Sequence, residues 1–106
     1  MELVEALEDL DSRLNVGLNF ANYSERVGDI RVAYDRIGFE DLGAGCIEHV
    51  GVHAEDAMNA YIRANNVWND CISDIDCTND SIRADLQAEW ADATDLIVKA
   101  RDGLDQ

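Results

Sequence analysis

ELVEALEDLDSRLNVGLNFANYSERVGDIRVAYDRI, residues 2–37, is the stretch whose reading decides how this chain folds. Leu3, Leu7, Leu10 and Leu14 recur at alternating steps of four and three, which places them on one face of a helix. Phe20, Tyr23, Val27, Ile30, Tyr34 and Ile37 continue the three-four pattern. Between the two stripes, around Asn15-Val16-Gly17-Leu18-Asn19, the phase slips by one residue. The preferred reading is one long helix that widens its apolar face there, because an isolated glycine costs only about 1 kcal/mol in a helix interior. In the alternative reading Gly17 breaks the segment, and the first piece folds back as a helix of its own.

Working outward, Gly38 is expected to end this element, and 38–45 reads as a connection. Ile47, Val50, Ala54, Ala57, Tyr61, Asn65, Trp68 and Ile72 mark the next amphipathic helix, with Gly51 its weak point and the main run starting near Val52. A polar stretch from Ser73 to Asp80 follows, in which Thr78, Asn79 or Asp80 is suited to cap the last helix. That helix carries Ile82, Leu86, Trp90, Ala93, Ile97, Ala100 and Leu104, with Gly103 expected to fray its end. The absence of proline suits long uninterrupted helices. The pattern predicts one all-α domain over 1–106, an antiparallel up-down-up three-helix bundle with a long first helix. Breakage at Gly17 would make it a four-helix bundle.

Antiparallel hairpins fix a register. Ile72 should face Ile82, Trp68 face Leu86 and Asn65 lie near Trp90, while Tyr34 meets Val50 and Ile37 meets Ile47. At 1.5 Å per residue the second helix then runs out opposite about Leu14. Leu3, Val4, Leu7 and Leu10 would overhang, and an exposed leucine stripe of that kind needs a partner. Self-association through Leu3, Leu7, Leu10 and Leu14 is the expectation, making the protein a homo-oligomer.

The formal net charge of −15 narrows the partners. Nucleic-acid binding needs Lys and Arg to displace phosphate counterions, and anionic lipid needs a basic patch. Neither is available. An acidic face keeps a small bundle soluble, or it meets a basic protein partner. No run reaches the roughly 20 uncharged apolar residues that span a bilayer, so membrane insertion is not expected. The first residues do not read as a signal peptide, so an exported protein would carry its targeting sequence elsewhere.

Three cysteines offer two chemistries. Cys71 and Cys77 flank a turn-rich stretch, and such a pair can bridge if one closes a helix and the other lies in the following loop. A disulfide there implies an oxidising compartment, whereas two free thiols would suit the cytosol. Cys46, His49 and His53 are spaced by three and four, so an unbroken helix would put these soft and borderline ligands on one face for zinc, copper or nickel.

Other chemistry is thin. Asp80-Ser81-Ile82 opens a helix like a carrier-protein serine, but Asn79 stands where a glycine belongs and only one helix follows. No serine sits on a Gly-rich elbow, and Gly43-Ala44-Gly45 lacks the strand and lysine of a phosphate loop. Nothing names a reaction, so no enzyme and no cofactor are expected.

Asp56-Ala57-Met58-Asn59-Ala60-Tyr61, then Trp68-Asn69-Asp70-Cys71, Cys77, Leu86 and Trp90 through Ala93 resemble uncharacterised small helical proteins exported by actinobacteria. The resemblance covers about the second half of the chain. It implies export, a disulfide hairpin and no known activity. The expected function is thus a non-catalytic acidic helical interaction domain of an exported or cell-surface protein. The alternatives are a transition-metal-binding protein using Cys46, His49 and His53, and a cytosolic acidic mimic of nucleic acid.

Overall fold

In the computed structural model, residues 2–37 and 43–104 are described; the stop expected at Gly38 and most of the first connection lie outside them. The elements in order are α1 (Glu2–Val16), α2 (Phe20–Asp35), the single turn α3 (Ala44–Cys46), a π-helical turn (Ile47–Gly51), α4 (Val52–Ser73) and α5 (Asn79–Leu104). There is no strand among the described residues. The all-helical expectation stands; the three-helix form is corrected to four long helices by a break at Gly17.

The break has a local cause. Gly17 adopts φ +114°, a backbone region that side chains rarely tolerate, and its N–H donates to the Arg13 carbonyl at 2.9 Å. Two residues on, Asn19 is extended and its side chain accepts the Asn22 N–H at 2.8 Å, capping α2. A one-residue phase slip turns an apolar stripe by about 100° around a straight helix. A continuous rod would therefore point its two stripes at different neighbours. Reversing the chain at Gly17-Leu18-Asn19 lets both face one core.

The result is up-down-up-down. Arg36 Nη1 reaches Glu2 Oε1 at 3.4 Å across the first hairpin, and Arg63 Nε reaches Glu89 Oε2 at 2.9 Å across the second. Arg101 holds Glu8 and Thr94 donates to Asp11 at 2.6 Å, so α1 runs antiparallel to α5. Phe20 stacks edge-on to Trp68 at one end of α2, and Tyr34 lies beside Met58, Asn59 and Ile62 near the other. The second contact falls more than one turn further along α4 than the expected Tyr34–Val50 register.

Leu3, Val4, Leu7 and Leu10 are completely buried in this four-helix core, and Leu14 packs half-buried against it. The predicted overhang is thereby corrected. These leucines shelter against α2, α4 and α5 of their own chain.

Three helices are keyed together at the aromatic centre. Trp90 Nε1 donates to Tyr23 Oη at 3.0 Å, and Tyr23 donates to the Tyr61 backbone carbonyl at 2.8 Å. The ring centroids of Tyr23 lie 5.6 Å from both Trp68 and Trp90. Burial pushes the Tyr23 phenol far above its ordinary value, and the bond from Trp90 only partly opposes it. Tyr61 is driven the same way by burial, then by the charge of Asp11 and by Tyr23. Tyr23 and Tyr61 therefore stay neutral throughout the physiological range, and both act as core residues.

Candidate functional site

The two ends of the long α4/α5 hairpin hold the three cysteines and both histidines. At one end lie Cys46, His49 and His53. The π-turn between them closes with the Val52 N–H donating to the Ile47 carbonyl, an i→i+5 bond. A π-turn takes one residue more than an α-turn, so steps of three and four no longer stack side chains on one face. Among the described residues no group of three His, Cys, Asp or Glu side chains is placed to hold a metal. Cys46, His49 and His53 are thus not brought together as a set of three.

The π-turn has a packing role. Gly103 of α5 comes so close that a Cβ there would sit 2.2 Å from the His49 carbonyl oxygen. Gly103 does not fray the helix, as its composition suggested; it lets α5 press flat against the widened turn. Cys46, a free half-buried thiol, borders the same groove with His49, Val50 and Leu104.

At the other end α2 starts against Trp68, so the last turn of α4 and the loop after it project beyond the start of α2, while the Gly17-Leu18 turn shares a pocket with Asn79 and Arg83 of α5. Cys71 and Cys77 are joined by a disulfide across this projecting end. Thr78 caps α5, its Oγ1 accepting the Ser81 N–H at 3.3 Å. Asp74 is extended, its N–H bonded to the Cys71 carbonyl, and its Oδ1 accepts the Asp76 N–H at 2.9 Å. The loop is thus fixed by one covalent link and several hydrogen bonds.

Compared with protein-family models, curated proteins and solved structures, this chain matches none. The reading of the site therefore rests on its geometry.

That geometry includes residues the sequence pattern misplaced. Ile72 was expected to face Ile82, yet it is half exposed while Cys71 is buried. The inner stripe of α4 runs Ala57, Tyr61, Ala64, Trp68 and Cys71, and its last step of three leaves Ile72 on the outside. Ile75 is 98% exposed at the loop apex between Asp74 and Asp76. An isoleucine that belongs to no helical stripe and sits among aspartates was the available signal. Beside it Val67, Ile82 and the disulfide form a shallow apolar groove of about 250 Å³, edged by Asp70 and Asp74. Asp76 and Asp80 are also exposed, and the nearby Arg83 is bonded to Asp80 at 2.6 Å.

The groove of Asp56, Asn59, Arg63, Asp92, Asp95 and Lys99 is open and polar. Among the described residues no helix is long and apolar enough to cross a membrane.

Proposed function

We propose that this chain is a non-catalytic interaction domain of an exported or cell-surface protein, working through the disulfide-clipped end of its second hairpin. The observation that carries the reading is the Cys71–Cys77 bridge at a solvent-facing loop. Disulfides persist in oxidising compartments, and one that holds an exposed loop rigid lowers the entropy a partner must remove on binding. Cys71 lies in the bundle core and Cys77 packs against it, so the link also anchors the exposed loop to the core. The acidic surface suits a basic protein partner.

The test is a thiol count on unreduced protein isolated from its host. One free thiol, from Cys46, is the expected result. Three would place the chain in a reducing compartment, overturn the export reading and favour a cytosolic acidic protein.

A further inference from the structure

We infer that the clipped hairpin end is a receptor for a protruding arginine or lysine side chain on a basic protein, with Ile75 as a neighbouring apolar prong. This rests on the interaction-domain reading above and names the partner chemistry. The groove is apolar along its floor, where Val67, Ile82 and the Cys71–Cys77 sulfurs lie, and acidic at its edges, where Asp70 and Asp74 stand. Long cationic side chains have that same division, an aliphatic stem and a charged head. The stem covers the floor and the head meets the carboxylates.

The carboxylates are ready for it. Neither Asp70 nor Asp74 pairs with a cation among the described residues, whereas Asp9, Asp29 and Asp80 each pair with an arginine of their own helix. Asp74 is oriented in advance by the Asp76 N–H on one oxygen, which leaves the other for a partner. Such charge-assisted bonds are short and about twice as strong as neutral ones. Ile75 stands 98% exposed on the same rigid loop and adds apolar contact area beside the groove. A second copy of the chain is the wrong occupant, since two molecules of charge −15 would bring their aspartates together. Charge likewise turns away nucleic acid and anionic lipid.

The probe is an acetylated, amidated Gly-Leu-Arg-Gly-Leu-Arg-Gly peptide, with Glu in place of Arg as its control. It is titrated into the full-length oxidised protein and followed by amide chemical shifts. Shifts confined to residues 67–83, absent with the Glu peptide, are expected. Asp70→Asn with Asp74→Asn should weaken binding about tenfold or more, and Ile75→Ser should weaken it further. Asparagine keeps the oxygen that accepts the Asp76 N–H, so the loop should fold, and far-UV circular dichroism checks that it does. Glu5→Gln with Glu25→Gln makes the same charge change away from the hairpin end and should alter affinity less than twofold.

Shifts spread along all the helices, equal losses in the two double variants, or no shift at all would overturn the proposal. Those outcomes leave the single free thiol of the export reading in place. Three free thiols would remove that reading without moving the peptide's binding site.

Discussion

The two ends of the α4/α5 hairpin are closed by opposite means. The Cys46 end closes by backbone approach: Gly103 lies against the His49 carbonyl of a widened helical turn, and Val50 is buried behind it. The Cys71 end closes by a covalent link and leaves its apolar side chains, Ile72 and Ile75, in solvent. A packed end hides what it owns and stabilises through contact. The linked end buries Cys71 and Ile82 and still leaves Ile72 and Ile75 outside. The contrast is between a packed end at the π-turn and a covalently linked end at the disulfide.

Four variants break or sharpen this contrast. The largest effect belongs to Cys71→Ser with Cys77→Ser, which should lower unfolding free energy by about 2–2.5 kcal/mol in the chain-entropy view. Amide exchange should accelerate near residues 70–80 and stay unchanged near residues 46–51. Faster exchange at both ends would mean that they are one cooperative unit, and the contrast would fail.

Gly103→Ala comes next, at about 2 kcal/mol, because the last turn of α5 must move off the π-turn to make room. Labelling of Cys46 by a thiol reagent should speed up, while peptide binding at the far end holds. Unaltered Cys46 labelling would show that the close approach is not what closes this end.

Gly17→Ala should cost about 1–2 kcal/mol in chemical denaturation. Space is open around a Cβ at Gly17, so the cost is that of placing a side chain at φ +114°. A neutral outcome would mean that the break between α1 and α2 is set by packing alone.

The smallest effect lies in the Glu8–Arg101 pair that ties α1 to α5. Arg101 bonds the Glu8 carboxylate and holds its pKa below the ordinary 4.5, although desolvation opposes this. A depressed carboxylate contributes stability above its unfolded pKa and loses it as pH falls through the folded one. Wild type should exceed Glu8→Gln by less than about 1 kcal/mol at pH 7, since both side chains are more than one-third exposed. The difference should vanish as pH drops below 4.5. A gap that survives strong acid would show that Glu8 acts through packing.

Much of the fold was legible in the residues, and the reasons are local. The stripes of α4 and α5 are long and in phase, so they fixed two helices and the hairpin between them. The Cys71–Cys77 pairing was legible too, because six residues spanning a helix end and a turn bring the two sulfurs within reach. The site was less legible. Cys46, His49 and His53 have α-helical spacing, but a π-turn runs through Ile47–Gly51, and only Cys46 and His49 border a common groove. Ile72 matched the stripe pattern within one position, too coarse a test to tell a buried side chain from an exposed one. Asp70 and Asp74 were two aspartates among many until the end of α4 set them, one turn apart, along the edge of an apolar groove.

Periodic leucines and aromatics, spaced by the pitch of the helix, settled from the sequence alone that this chain forms rods with one apolar side. Gly17 and Asn19 carried the signals of a stop and a start. Whether the chain reversed there depended on a gain no local pattern contains: Leu3, Leu7 and Leu10 lose their water only when α4 and α5 are present to cover them. The tertiary structure decided that, because burial is a property of two surfaces meeting, and a sequence states one surface at a time.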